Sequence, residues 1–138
     1  MQIMRLDHVN IRTTKLEEMT AWYTDVLGLT VGPRPSFPFE GAWMYANETA
    51  VVHLVEIEEP AAVGTEVDLK LEHFAFRAKG AVAFKKRLET SDTKFREVFL
   101  ADVNLYAFNI WDPDGNHIHV DFESDDLSWP PKTVPKLA

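Results

Sequence analysis

Apolar and polar residues alternate in short runs along this chain, and a stretch with helical spacing interrupts them in each half. Residues 6–11 alternate and predict a strand with His8 on its polar face. A helix is predicted next, from a capping box at Thr14 and Glu17 to a left-handed end at Gly28. Apolar residues at helical spacing support it: Leu16, Met19, Tyr23, Val26 and Leu27.

The same patterns predict the remaining elements. In the first half they are strands at 29–32, 42–46 and 50–56. In the second half they are strands at 69–77, 95–100, 105–111 and 117–122, with a helix at 81–89. The order is βαβββ in both halves. We therefore predict an α+β fold in which two βαβββ modules form a curled, mostly antiparallel sheet around a common site.

Charge, proline and glycine mark the boundaries of the two modules. The first module is predicted at 1–57 and the second at 69–123. Residues 58–68 contain Pro60 and Gly64 and are interpreted as a connector. Residues 124–138 have no regular pattern and are interpreted as a C-terminal tail.

The sequence also repeats itself at a nearly fixed offset. The Leu-Asp-His-Val segment around His8 matches Leu-Glu-His-Phe around His73, 65 residues later. The Val-His-Leu segment around His53 matches Ile-His-Val around His119, 66 residues later. Four of the five histidines thus occupy equivalent places in two repeats.

Composition narrows the chemistry. The net charge of −8 repels phosphate backbones and anionic lipids, so neither a nucleic-acid nor a membrane partner is expected. The absence of cysteine excludes disulfides, thiolate nucleophiles and sulfur-ligated metals. No charged leader with an apolar core precedes the first strand, and a soluble cytoplasmic protein is expected. Any metal must be held by nitrogen and oxygen.

Repetition favours a metal site over four separate structural histidines. If each module places its first and last strands side by side, and a pseudo-dyad relates the modules, the four imidazoles converge on one divalent ion. Neutral imidazole is the commonest protein ligand for such ions. We therefore predict a metal site made of His8, His53, His73 and His119.

These segments resemble the vicinal oxygen chelate superfamily, which includes glyoxalase I, methylmalonyl-CoA epimerase, extradiol dioxygenases and the fosfomycin- and bleomycin-resistance proteins. The resemblance covers about residues 4–123 and rests also on the helix end at 21–29 and the Asp-Pro-Asp-Gly-Asn turn at 112–116. It implies ligands at His8 and His73. The family's two other ligand positions, usually carboxylate or amide, fall on His53 and His119, which are departures.

The resemblance implies one divalent transition metal, namely iron, nickel, zinc, cobalt or manganese, that chelates two neighbouring oxygens of a small substrate. We expect lyase or isomerase chemistry through an enediolate. An extradiol-type dioxygenase and a metal-free drug-binding protein remain alternatives. A thiol-transferring resistance enzyme is disfavoured by the missing carboxylate ligand, and a homodimer is expected on family grounds.

Other residues are candidates near the site. His117 and Asp121 share the predicted face of His119 and are candidate catalytic bases, although Asp121 equally suits a hydrogen bond that orients a histidine ring. Arg12 and Arg77 each lie four residues beyond a first-strand histidine and are predicted to bind a substrate carboxylate. Aromatic residues predicted either to line a pocket or to fill the core are Phe37, Phe39, Trp43, Tyr45, Tyr106 and Trp111.

Overall fold

The structure is a computed structural model that describes residues 1–59 and 71–129. The chain divides into two compact units, Met1–Val63 and Gly64–Ala138. Most of the predicted connector at 58–68 and the end of the predicted tail at 124–138 lie outside the described residues. Within the described ranges, no helix is both long and apolar enough to span a bilayer.

The first unit contains one helix and four strands. The strands are β1 (Val9–Thr13), β2 (Thr30–Gly32), β3 (Gly41–Ala46) and β4 (Thr49–Glu56), and the helix α1 (Leu16–Asp25) follows β1. The sheet order is β1-β4-β3-β2, in which β1 pairs parallel with β4 and the other pairs are antiparallel. This order places the beginning and the end of the unit on adjacent strands.

The second unit repeats this arrangement. Its strands are β5 (Phe74–Arg77), β6 (Phe95–Leu100), β7 (Leu105–Trp111) and β8 (His117–Glu123), and its helix is α2 (Ala81–Thr90). The sheet order is β5-β8-β7-β6, with β5 and β8 parallel. The predicted α+β fold of two βαβββ modules with mostly antiparallel pairing is confirmed.

Each unit has its own apolar core between the helix and one face of the sheet. In the first unit the fully buried side chains are Met19 and Tyr23 of α1 and Met44, Val52 and Leu54 of the sheet. In the second they include Leu88 of α2 and Phe108, Ile110, Ile118 and Phe122 of the sheet. Because side chains alternate along a strand, residues between the core positions of β4 and β8 face away from the helices.

Two local predictions are wrong. The strands predicted over 6–11 and 69–77 begin, within the described residues, at Val9 and Phe74, so His8 and His73 lie just before β1 and β5. Residues 69 and 70 lie outside the described ranges. The capping box is absent, because α1 begins at Leu16 with Lys15 as its N-cap and no side-chain cap. Instead, the hydroxyl of Thr13 accepts a hydrogen bond from the Lys15 amide. The left-handed end at Gly28 is confirmed by its φ of 71°.

Candidate metal centre

The parallel pairing of β1 with β4 brings His8 and His53 together. Asn10, two residues beyond His8, is the register partner of His53. The two imidazole rings stack with centroids 3.9 Å apart and an interplanar angle of 16°. The first unit therefore presents two histidines side by side.

The second unit builds the same pair at the same register. Ala75, two residues beyond His73, is the partner of His119. The rings of His73 and His119 stack with centroids 4.0 Å apart and an interplanar angle of 5°. The sequence repeat thus corresponds to a repeated arrangement of paired imidazoles, one pair within each unit.

A carboxylate precedes and binds each first histidine. Asp7 Oδ2 accepts a hydrogen bond from His8 Nδ1 at 2.8 Å, and Glu72 Oε2 accepts one from His73 Nδ1. These bonds lower the pKa of the Asp7 and Glu72 carboxyls. A carboxylate on one ring nitrogen fixes the tautomer and leaves the other nitrogen as the ligand atom. His8 and His73 therefore offer Nε2.

His117 is buried behind the second pair and is held on both sides. Its Nδ1 is hydrogen bonded to Glu72 Oε1 at 2.8 Å, and its Nε2 is hydrogen bonded to Asn109 Oδ1 at 2.9 Å. Nitrogen atoms of His73, His117 and His119 lie within 4.8 Å of one another, a spacing that suits a shared ion. Because both nitrogens of His117 are already engaged, a metal would have to displace one of these partners.

The orientation of the Asn109 amide is fixed by Arg96. The Arg96 guanidinium donates to Asn109 Oδ1 at 3.2 Å, and Asn109 Nδ2 donates to the Arg96 carbonyl at 3.3 Å. The amide oxygen therefore faces His117. Asn109 and His117 are buried, at 2% and 4% exposed, whereas Arg96 and Glu72 at the two ends of the network are exposed.

Burial keeps the last-strand histidines neutral. Desolvation, assisted by the neighbouring His73 and His117, lowers the pKa of His119 to about 4. Desolvation, assisted by His8, also lowers the pKa of His53. A neutral imidazole is the form that binds a metal, so both rings are ready to coordinate at neutral pH.

The remaining predicted site residues lie at different distances from these rings. Asp121 Oδ1 is 4.0 Å from His119 Nδ1 and is buried with no hydrogen-bond partner among the described residues. Burial raises the pKa of Asp121, and the nearby Arg77 opposes that rise. Arg77 and Arg12 are both exposed, at the ends of β5 and β1.

Some of the predicted aromatic residues lie beside the histidine rings, and one lies in the core. Trp43 stacks on His53 with centroids 4.0 Å apart, and Phe37 lies 6.5 Å from Trp43. Trp111 stacks on His117 at 5.1 Å. Tyr106 is 1% exposed and belongs to the core of the second unit, so for this residue the core alternative holds.

Sequence reasoning missed Asp7, Glu72 and Asn109. The acidic residues had a visible signal, because each precedes a repeated histidine at the same 65-residue offset. Asn109 had none until the strands were paired. It faces His119 across β7 and β8, as Trp43 faces His53 across β3 and β4.

Comparisons with known proteins agree with this architecture. The family model described as the Glyoxalase/Bleomycin resistance protein/Dioxygenase superfamily matches residues 5–120. No curated protein matches the sequence. Solved structures with the same fold include a glyoxylase/bleomycin resistance protein/dioxygenase domain from Frankia sp. EAN1pec, with 16% identity and a TM-score of 0.74, covering 88% of this chain and 93% of that one.

Two further structures of this fold are of a named lyase and of a glyoxalase I. Lactoylglutathione lyase from Agrobacterium tumefaciens has 21% identity and a TM-score of 0.62, covering 83% of this chain and 90% of that one. The trypanothione-dependent glyoxalase I of Leishmania major has 17% identity and a TM-score of 0.66, covering 89% of each chain. At these identities the likeness establishes the fold alone.

Proposed function

Because the chain belongs to the Glyoxalase/Bleomycin resistance protein/Dioxygenase superfamily, we propose that it is a metal-dependent enzyme acting on a small substrate with two neighbouring oxygens. Its ligands are His8, His53, His73 and His119. One observation carries the proposal. Both units hold a stacked histidine pair at the same register, with a carboxylate on Nδ1 of the first ring.

The donor set fits a first-row transition ion. All four ligands are neutral nitrogen donors, which suit iron, nickel, zinc, cobalt or manganese better than magnesium or calcium. The carboxylates of Asp7 and Glu72 orient the rings of His8 and His73 through the hydrogen bonds to Nδ1. Four donors leave two positions of an octahedral ion for the substrate. When bound, the ion would act as a Lewis acid on the substrate's two oxygens.

Asp121 supplies the proton acceptor that four histidine ligands lack. Its buried Oδ1 has no partner among the described residues, and burial raises the pKa of this carboxyl towards the range useful for a general base. We assign it the removal of a proton from the carbon beside the substrate's oxygens, a lyase or isomerase reaction. A lactoylglutathione lyase with the same fold is consistent with that reaction class.

We assign His117 a positioning role instead of a catalytic one. Both of its nitrogens are hydrogen bonded, and it reaches His73 through the Glu72 carboxylate. Arg12 and Arg77 keep the predicted role of binding a substrate carboxylate.

The first test is metal content after purification without a nickel column. We expect one ion per site by elemental analysis, and substitution of any of the four ligands by alanine should lower metal affinity by at least about 100-fold. His117→Gln is the comparison variant: it changes a histidine that positions His73 through Glu72 but is not a proposed ligand, so it should lower metal affinity less than any ligand substitution does. If His117→Gln abolished binding while His8→Ala and His53→Ala did not, the ion would belong to the three-histidine cluster of the second unit alone.

The second test separates the reaction classes. Metal-loaded protein should convert a hemithioacetal or epimerise an acyl-CoA ester, and Asp121→Asn should lower kcat by about 100-fold or more with metal content unchanged. Oxygen consumption with catechols would favour the dioxygenase alternative. Ligand binding by protein that takes up no metal would favour the drug-binding alternative and overturn the proposal.

A homodimer is proposed on family grounds. Sedimentation velocity over a range of protein concentrations tests it, with a single species of about twice the 15.8 kDa chain mass expected.

A further inference from the structure

Two phenyl rings stand in solvent on the loop between β2 and β3. The side chains of Phe37 and Phe39 are 41% and 42% exposed. The two rings stack with centroids 5.1 Å apart and an interplanar angle of 8°. Adjacent exposed aromatic rings form an apolar patch of the kind that commonly marks a binding surface.

The loop is braced from both ends, so the rings are held in place without a ligand. Tyr45 donates a hydrogen bond from its hydroxyl to the Pro33 carbonyl at 2.6 Å. Arg34 donates to the Phe39 carbonyl at 2.7 Å, and its guanidinium lies 5.0 and 5.2 Å from the two phenyl centroids. Prolines within the loop, which restrict the unfolded chain, are Pro33, Pro35 and Pro38.

The strand that follows is shaped to keep Arg34 in this position. A side chain at Gly41 would place its Cβ 2.4 Å from the Leu54 carbonyl and 3.3 Å from the Arg34 guanidinium. Gly41 therefore permits β3 to lie close to β4 while Arg34 packs against the same point. A preorganised surface loses little entropy when a ligand binds.

The stacked rings of Phe37 and Phe39, called the platform below, are connected to the proposed ligands by aromatic contacts within the first unit. Phe37 lies 6.5 Å from Trp43, and Trp43 stacks on His53 at 4.0 Å. His53 in turn stacks on His8. Two ring-to-ring steps thus separate the platform from a metal-ligating histidine, so that one small molecule can contact both.

The second unit offers a contrast. There the position that corresponds to Trp43 is Asn109, which is hydrogen bonded to Arg96 and His117. An indole is present too, because Trp111 stacks on His117, but Trp111 lies on β7 and not on a loop. The loop between β6 and β7 carries the aliphatic Val103 instead of aromatic rings. In the described part of the chain, an aromatic path to a histidine pair on a braced loop is a property of the first unit.

We propose that Phe37 and Phe39 form a subsite for a flat aryl group, carried by a substrate whose two neighbouring oxygens reach the histidines. This inference rests on the proposed function and names its substrate class. Parallel phenyl rings select a flat ring over a bulky aliphatic one, because stacking requires a planar partner. The Arg34 guanidinium beside the platform favours an electron-rich ring through its positive charge.

The test compares mandelate with lactate on metal-loaded protein by titration calorimetry. Both acids offer a carboxylate beside a hydroxyl, and they differ in phenyl against methyl. Mandelate should bind about tenfold more tightly, which corresponds to about 1.4 kcal/mol. Phe37→Ala/Phe39→Ala should abolish that preference and leave lactate affinity and metal content unchanged. Leu100→Ala, a matched loss of an exposed apolar side chain in the second unit, should change neither affinity.

The outcomes separate this inference from the proposed function. Stoichiometric metal with equal binding of the two acids, or with no binding of either, overturns the aryl subsite and leaves the metal site standing. Absence of metal overturns both. Hexahydromandelate binding as tightly as mandelate overturns selection for a flat ring. Conversion of a dimer to a monomer by the double variant would show that the patch joins two copies of the chain, which also overturns the subsite.

Discussion

In the first unit the side chain opposite His53 is the indole of Trp43, whereas in the second unit the side chain opposite His119 is the amide of Asn109. The stacking of the histidine pairs is nearly the same in the two units, with centroids 3.9 and 4.0 Å apart. The two units therefore share the paired imidazoles but differ in the side chain opposite the last-strand histidine, which is an apolar indole in the first unit and a hydrogen-bonded amide in the second.

This difference separates two tasks within one repeated scaffold. The first unit keeps its pair beside an aromatic surface that is open to solvent at Phe37 and Phe39. The second unit surrounds its pair with Glu72, Asn109 and His117, which hold rings and protons in fixed places. Under the proposed function, the first unit would bind the substrate and the second would orient the histidine rings.

The largest expected effect concerns the buried histidine of the second unit. In the folded protein the pKa of His119 is lowered from its ordinary value of 6.5 to about 4, so the ring stays neutral well below pH 6.5. Between these values the unfolded chain binds a proton that the folded chain does not. The free energy of unfolding should therefore decrease as pH falls from about 6.5 to about 4, by roughly 3 kcal/mol from this group.

Urea unfolding of chelator-treated protein at pH 7.5 and 4.5 measures this effect. His119→Asn should remove most of the decrease. His53→Asn should remove less, because the pKa of His53 is lowered in the same direction by a smaller amount. An unchanged pH dependence in His119→Asn would contradict the assignment.

The second largest effect is expected from removing the hydrogen bonds of Asn109 in the second unit. Asn109→Leu removes the acceptor for His117 and Arg96 at a position that is 2% exposed. Leaving the buried His117 ring without this hydrogen bond should cost roughly 2 kcal/mol of unfolding free energy, whereas the exposed Arg96 guanidinium can be solvated. Asn10→Leu, at an exposed position beside His53, is the control and should cost less than about 0.5 kcal/mol. Equal costs would show that the amide network does not stabilise the second unit.

A smaller effect distinguishes the two carboxylates. Glu72 contacts both His73 and His117, whereas Asp7 contacts His8. Glu72→Gln leaves one oxygen to accept, so metal affinity should fall about tenfold or more, and further than in Asp7→Asn. Competition with a chromophoric chelator measures both, with the exposed helix variant Glu89→Gln as a control. The role of Glu72 would be refuted if its variant bound metal like Glu89→Gln.

The smallest effect compares the ends of the two helices. Gly28 follows α1 at a φ of 71°, whereas Asp92 follows α2 at a φ of 52°. Glycine adopts this left-handed conformation without strain from a Cβ atom. Gly28→Ala should lower the free energy of unfolding by about 1 kcal/mol, and Asp92→Gly should raise it by about 0.5 kcal/mol. Thermal melts measure both, and shifts of the same sign would contradict this explanation.

The sequence predicted the bounds of a strand well where the alternating pattern ends at turn residues. β6 and β7 have the predicted bounds, because an alternating run meets a turn at both ends. The starts of β1 and β5 were misplaced because Leu6 and Leu71 continue the alternation, yet they are 77% and 66% exposed. A period of two specifies which residues share a face, whereas the start of a strand depends on where its partner can pair.

The candidate site was predictable only as far as the repeat extends. Repetition singled out His8, His53, His73 and His119, and the structure pairs them within each unit. The network around Asn109 joins residues on β6, β7 and β8 through cross-strand contacts, which no local pattern encodes. The capping box failed for a related reason: α1 begins at Leu16 with Lys15 as its N-cap, and the Lys15 amide donates to the buried Thr13 hydroxyl, so Thr14 does not occupy the N-cap position.

The parallel pairing of the outer strand has a consequence for how each unit folds. β2, β3 and β4 are joined by local connections, whereas β1 must pair with residues about 43 positions later, as Asn10 does with His53. Because closing a long loop costs entropy before it gains contacts, we expect the antiparallel strands to form first and β1 to dock last. His8 would then join His53 at the end of folding, and the amides of β1 should be among the first of the sheet to exchange with deuterium.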